Sequence, residues 1–473
     1  MILAEKDDDM RDLRVAVIGA GPAGIYAADI LTTNHESASV DIIERLPAPY
    51  GLVRYGVAPD HPRIKEIIKA LLRILEKPRI RFIGNVDYGT DLTLDELRMF
   101  YDAVIFATGA MDDRRLDIPG IDLPGSHGAA DFVSWYDAHP DVPREWALDA
   151  EQIAVIGAGN VALDVARMLA KTADEQLVTE IPANVYEGLK ANRVSDVHVF
   201  ARRGPAQIKF TPLELRELAH SPNVDVVVHP EGFEIDEASE QAIHASRQTK
   251  QVVNTLLGWI DNLPSTKPRR IHIHFCEAPV AVLGTDRVTG LRTERTELTG
   301  DGNVRGTGII TDWPVQAVYR AVGYLSSPVP GVPFDHVDGV IPNVAGRVLD
   351  AQGAPLPATY VTGWIKRGPV GLIGHTKSDA SETIDCLLAD LDALPTAAST
   401  DPDSVLAYLT GKGIEHTNTH GWERLDAHET SLGEHAGRPR IKIVERDEMV
   451  EFSRDTPYSR ENSPAQVGQK AHA

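Results

Sequence analysis

Two stretches of this chain carry the same punctuation. Residues 13–24 read LRVAVIGAGPAG and residues 152–162 read QIAVIGAGNVA. In each, a β-branched run breaks into a glycine turn and passes directly into a helix-like stretch, residues 25–32 in one case and 163–170 in the other. A strand–turn–helix unit occurring twice, about 140 positions apart, predicts an α/β chain with two βαβ modules.

The turns say what such modules hold. Gly19, Gly21 and Gly24 form G-x-G-x-x-G. The first glycine permits the tight turn, the second lets the backbone approach a pyrophosphate, and the third lets helix pack on strand. The helix N-terminus then faces the phosphates. Residues 40–44 (VDIIE) read as the next strand and end in Glu44, twenty residues after Gly24. That spacing suits a carboxylate accepting from a ribose hydroxyl. A surface acid is the alternative reading of Glu44.

In the second turn, Gly157, Gly159 and Ala162 form the G-x-G-x-x-A variant. The following strand, residues 197–201, lies about 40 residues on, the extra length being the polar stretch 171–193, which reads as an insertion. It ends in Arg202 and Arg203 rather than in an acid. Two guanidinium forks suit a dianion, so the second nucleotide is expected to carry a ribose 2′-phosphate, as in NADP(H). A plain solvated basic turn is the competing reading.

Residues 101–109 (YDAVIFATG) read as a strand, and the Pro/Gly-rich stretch 118–128 as a crossing to the second module. Residues 315–323 (VQAVYRAVG) and the proline-rich stretch 326–334 read as the crossing back. Residues 359–374 then give a strand, a loop and the start of a helix at 375–391. From 401 to 450 the pattern is helix–loop–helix with a strand expected at 439–444. The expected partition is 1–110, 111–324 and 325–450, with 451–473 a disordered tail.

Totals narrow the function. The 473 residues carry a net charge of −22, which argues against nucleic acid and anionic membrane as partners. No apolar run approaches the ~18 residues of a membrane span, and the charged start MILAEKDDDMRDL lacks the apolar core of a signal peptide. The expected compartment is the cytoplasm. Two cysteines, Cys276 and Cys386, exclude a CxxC redox pair and a protein-held iron–sulfur cluster. No metal site is expected.

Four motifs in order give a resemblance: APYGLVRYGVAPDHPRIK (48–65), GAGNVALDVAR (157–167), ARRGP with FTPLELREL (201–218) and GWIKRGPVGLIG (363–374). From about residue 15 to about 442 the chain resembles the adrenodoxin-reductase-type ferredoxin–NADP+ reductases. The resemblance implies two doubly wound three-layer dinucleotide-binding domains, an FAD domain in two chain segments with an NADP domain inserted. It implies electron transfer from NADPH through FAD to a ferredoxin or similar small iron–sulfur protein, which could in turn feed a cytochrome P450.

Residue by residue, the resemblance makes Glu44 an FAD ribose ligand, and puts Leu52 and Val86 along the flavin nucleotide. Ala23 lies in the phosphate turn, and Trp364 with Gly371, Leu372 and Ile373 forms a wall at the isoalloxazine. Ala158, Asn160 and Val161 join the NADP pyrophosphate turn, Arg202 and Arg203 clamp the 2′-phosphate, and Glu214 and Arg114 reach the same nucleotide. His61 and Glu217 correspond to a polar pair near flavin and nicotinamide. Read alone, a histidine in Asp-His-Pro is a turn or cap residue. Tyr50 and Ala23 stand where a family relative carries Trp and Ser, which should leave FAD binding intact.

With no dithiol in the chain, electrons must leave to an external acceptor. A local basic surface is expected at Arg54, Arg63, Lys65 and Lys69. Two other functions use the same modules. A flavin-dependent NADPH monooxygenase would couple oxygen consumption to a hydroxylated product, and a nucleotide-binding sensor would show no rapid flavin reduction.

Overall fold

The two apolar runs are buried strands at the centres of two parallel sheets in this computed structural model, which describes residues 11–260, 262, 265–370 and 373–454. In the first sheet, Leu13–Ile18 lies between Ala38–Glu44 and Ala103–Phe106. Ile80–Gly84 extends it on one side, and Pro355–Val361, Arg347–Leu349 and Asn343–Val344 on the other, giving seven strands. All pairs are parallel except the last two. Strands buried on both faces can be apolar throughout, which is why these runs lack alternation.

The second sheet has six strands in the order Ser126–Gly128, Ala317–Arg320, Gln152–Ile156, Asp196–Ala201, Arg269–Phe275, Val224–Val228. Every pairing in it is parallel. The first sheet draws on chain both before and after the second, so the second is inserted in sequence. The two crossings meet: Asp112–Asp113 pairs antiparallel with Tyr324–Leu325.

Each sheet is the middle of three layers. One face of the first packs the helices Pro22–Asn34 and Ile68–Leu75 with Ile384 and Leu425. Its other face packs Leu97 and Leu409 from the helices Leu94–Phe100 and Ser404–Gly411. One face of the second sheet is covered by Ala129–Tyr136 and Asn160–Ala170. Its other face is covered by an antiparallel sheet, Glu277–Leu283, Gly290–Leu298 and Val304–Trp313, which sends in Val282 and Leu291. No helix among the described residues is long and apolar enough to cross a membrane.

Two sequence expectations change here. Residues 439–444 form no strand. The backbone N–H groups of Ile441 and Ile443 donate to the Glu429 carbonyl and carboxylate instead of to a neighbouring strand. Past 450, the helix Arg446–Ser453 continues to Ser453. The tail expectation otherwise falls on 455–473, outside the described residues.

Helix Pro22–Asn34 lies close enough to its strand that a Cβ on Gly24 would stand 2.1 Å from the Gly19 carbonyl oxygen. Gly24→Ala should therefore cost about 1–3 kcal/mol by overpacking. An earlier denaturant midpoint of the apoprotein is the expected reading, and an unshifted midpoint would show that the helix relaxes freely.

Candidate functional site

Above the first glycine turn lies a cleft of about 630 Å³. Gly19, Gly21, Ala23, Glu44, Leu52 and Val86 all line it, and Trp364 closes it from the returning segment. Gly19 sits at φ +108°, and a Cβ there would be 2.6 Å from the Ala107 carbonyl oxygen. A Cβ on Gly21 would meet nothing within 4 Å, so that face is open to a ligand. Gly21 caps its helix without a side-chain bond, which leaves the first-turn N–H groups for an anion. Gly24 packs beneath and does not line the cleft.

Glu44 is held for its task. Its carboxylate accepts from the Ala20 N–H at 2.8 Å and the Leu46 N–H at 3.1 Å. Burial raises its pKa, and those donors oppose the rise. Trp364 follows Gly363, whose φ of +77° places it where a Cβ would lie 2.7 Å from that of Ala23. The returning segment thus abuts the phosphate turn. Gly371 and Leu372 lie outside the described residues, as does the side chain of Ile373.

The second turn repeats the design. Gly159 caps Asn160–Ala170 without a side-chain bond, and a Cβ on it would again meet nothing within 4 Å. The loop after Arg203 is stitched to this turn. Lys209 N–H donates to the Ala158 carbonyl at 2.8 Å, and Thr211 N–H to Asn160 Oδ1 at 2.8 Å. Val161 reaches the first cleft and lines it. Arg202 is exposed and Arg203 half-buried, and neither has a carboxylate within ion-pair distance among the described residues. The Nε of Arg203 is buried without a hydrogen-bond partner. Two such guanidinium groups beside an open glycine turn fit a phosphate dianion. Arg114 is exposed just after the crossing strand Asp112–Asp113, its N–H donating to the Gly323 carbonyl at 2.9 Å.

Thr211 caps the short helix Pro212–Glu217, which carries Glu214 and Glu217 to His61. His61 Nδ1 lies 2.9 Å from Glu217 Oε2, and its Nε2 lies 2.7 Å from Glu214 Oε2 and 3.0 Å from Asp164 Oδ1. His61 does occupy an N-cap position, but its ring makes no cap bond. Burial disfavours the charged ring, yet hydrogen bonds to Asp164 and Glu214 outweigh it and the nearby Arg167, pushing the pKa up to about 10. Burial also raises the Glu217 pKa, against the pull of His61. These ligand atoms are close enough to one another to hold a metal ion, although the Arg167 guanidinium occupies the same side of the ring.

Sequence reading missed the partners of this cluster. Asp60 accepts from Arg167 Nε at 2.7 Å and from Lys171 Nζ at 2.8 Å. Burial opposes ionisation of Asp60, but those cations hold its pKa far below the usual carboxylate range. The stretch 171–193, read as an insertion, supplies Lys171 and Glu180 to the contact between the sheets. Asp164 and Arg167 stand three residues apart inside GAGNVALDVAR, a helical spacing that could have been noticed.

The expected basic surface is corrected at two positions. Arg54 is 3% exposed and pairs with Glu429, and Lys65 is 8% exposed and pairs with Asp137 and Glu180. Only Arg63 and Lys69 are exposed.

A family described as pyridine nucleotide-disulphide oxidoreductase matches residues 13–220. The chain is similar to NADPH-ferredoxin reductase FprA of Mycobacterium tuberculosis, 42% identical over 93% of this chain and 99% of that protein. It is also similar to the mitochondrial NADPH:adrenodoxin oxidoreductase of Bos taurus, 38% identical over 92% and 91% of the two chains. A solved structure of M. tuberculosis FprA in complex with NADPH superposes with a TM-score of 0.85 at 39% identity, covering 94% of this chain and all of that one. Cys276 is buried, with its pKa raised to about 11 by burial, and neither cysteine lines the cleft, so no dithiol stands at the flavin side. The chain therefore belongs to the adrenodoxin-reductase-type ferredoxin–NADP+ reductases, FAD- and NADPH-dependent oxidoreductases within the wider pyridine nucleotide-disulphide oxidoreductase fold.

Proposed function

We propose that this chain oxidises NADPH and reduces a small iron–sulfur protein. FAD held by Gly19, Gly21 and Glu44 would supply the redox chemistry, that of a hydride acceptor able to give up electrons one at a time. One observation carries the reading: Val161, from the second glycine turn, lines the same cleft as Gly21, Glu44 and Trp364. That juxtaposition supports a nicotinamide reaching the flavin.

In this reading residues 1–110 and 325–450 form the FAD domain and 111–324 the NADP domain. Gly19, Gly21 and the Pro22–Asn34 N-terminus bind the FAD pyrophosphate and Glu44 its ribose. Leu52 and Val86 pack along the nucleotide, with Trp364 at the ring. Gly157, Ala158, Gly159, Asn160 and Val161 hold the NADP pyrophosphate, Arg202 and Arg203 its 2′-phosphate, and Arg114 the same nucleotide. Glu214 is a further contact to that nucleotide and also reaches His61, and His61 with Glu217 forms the polar pair near flavin and nicotinamide. Arg63 and Lys69 offer an acidic carrier its first contact. A carrier that delivers single electrons suits a cytochrome P450 as consumer, and the thiol-only chain suits the cytoplasm.

Anaerobic NADPH should bleach the flavin of the purified holoprotein and then reduce an added [2Fe–2S] carrier. A flavin that stays oxidised would overturn the reading. Charge-assisted hydrogen bonds contribute about 1.5–3 kcal/mol each. Arg202→Ala should accordingly raise the NADPH KM by about tenfold or more, while NADH kinetics stay nearly unchanged. Equal losses for both nucleotides would reduce the arginines to a basic turn.

The His61 pKa gives a third expectation. Its folded value of about 10 lies above the unfolded value of about 6.5. The stability it contributes is complete below about pH 6.5 and is lost as pH rises through about 10. His61→Gln should flatten the fall in stability across that window and slow flavin reduction more than it lowers FAD content. A variant with the wild-type pH profile would make the ring a passive spacer.

A further inference from the structure

Lys442 is a fully buried ammonium, 3% exposed, from a segment remote in sequence from either glycine turn. Its Nζ donates to the Arg54 carbonyl at 2.7 Å, to the Asp137 carbonyl at 3.2 Å and to Asp137 Oδ1 at 3.3 Å, and lies 2.8 Å from Glu180 Oε1. Lys65 approaches the same two carboxylates. One cation therefore joins the flavin-side loop, through Arg54, to the inserted module, through Asp137 and Glu180.

What lies just beyond each anchor is informative. Arg54 precedes Tyr55, and Asp137 begins the turn that leads to His139. Tyr55 and His139 meet edge to face with centroids 5.0 Å apart, and both line the cleft. The turn is strained, since Ala138 sits at φ +67°. Helix-end hydrogen bonds hold it: Asp137, Ala138 and His139 N–H donate to the Val133, Trp135 and Ser134 carbonyls. His139 Nδ1 accepts from the Asp141 N–H at 3.2 Å, so a neutral ring carries its proton on Nε2. Burial lowers its pKa to about 4, which keeps it neutral.

We propose that Lys442 is a positioning residue for hydride transfer: it seats the backbone anchors of the Tyr55–His139 pair and thereby the wall of the cleft where the two modules meet. A buried charge suits this task better than an apolar contact. Its donors have fixed directions, and an unpaired ammonium or carboxylate there is costly, so one relative placement of loop and turn is favoured. A methyl-rich contact would tolerate sliding.

The inference rests on the reductase reading, and the wild-type protein tests that reading separately. In anaerobic stopped flow, Lys442→Met should lower the limiting rate of flavin reduction about 10- to 100-fold. The NADPH concentration giving half that rate should move less than about threefold, since binding through Arg202 and Arg203 is untouched. With FAD bound and no NADPH added, amide exchange across residues 133–141 should quicken, while Leu13–Ile18 and Gln152–Ile156 keep their protection. If Lys442→Met does not fold, the charge-balanced pair Lys442→Met with Glu180→Gln is measured in its place. A limiting rate within about twofold of wild type overturns the proposal. So does unchanged exchange at 133–141, and so does a general loss of protection in both sheets with loss of FAD. If wild-type flavin is not reduced by NADPH, the function fails and the exchange measurement still judges the turn.

Discussion

Arg54, Asp60, His61 and Lys65 enter the contact between the two sheets almost out of water, and each finds its counter-charge on another chain segment. Asp60 meets Arg167 and Lys171, His61 meets Asp164, Glu214 and Glu217, Lys65 meets Asp137 and Glu180, and Arg54 meets Glu429. Such pairs contribute little beyond what apolar packing would, but breaking one by removing a partner costs about 3–5 kcal/mol. The energy is therefore sensitive to relative placement. The loop that carries these charges also supplies Leu52 and Tyr55 to the cleft, so the same placement sets the cleft's shape.

Chemistry at the cleft is divided accordingly. The glycine turns supply unpaired N–H groups and space for phosphates, with no charge of their own. Charge is concentrated at Glu44, which lines the cleft, and outside that lining at the arginine pair and in the His61 cluster. Among the described residues the arginine pair has no acidic partner, while three carboxylates surround the His61 ring. A site that must take in a dianion needs unneutralised cations. A site that holds a proton beside a reacting ring needs a counter-charge that keeps the proton in place. The two arrangements suit those two tasks.

Both glycine turns, both central strands, the acid ending one ribose strand and the arginines ending the other could be read from spacing, because they are local. A turn, its helix and the strand before it are fixed by neighbours a few residues apart. Residues 439–444 were misread for a related reason. Their apolar character is real, but whether an extended segment joins a sheet depends on an available edge, and here the Glu429 side chain and carbonyl took the N–H groups.

Sequence alone determined two dinucleotide turns, and an arginine pair, Arg202 and Arg203, that we propose as the reader of the extra phosphate of NADPH. These follow from backbone permissiveness and from charge at strand ends. Tertiary structure decided which ionisable residues are exposed. Arg54 and Lys65 read as a basic surface in sequence, and only the fold shows them buried against Glu429, Asp137 and Glu180. It also decided that the His61 ring is clamped among Asp164, Glu214 and Glu217, and that Lys442 is buried between Arg54 and Asp137. A lysine or histidine carries no mark of burial in its own neighbourhood along the chain. Its charge state is set by partners that are remote in sequence, 72 residues away for Lys65 and Asp137 and 103 for His61 and Asp164.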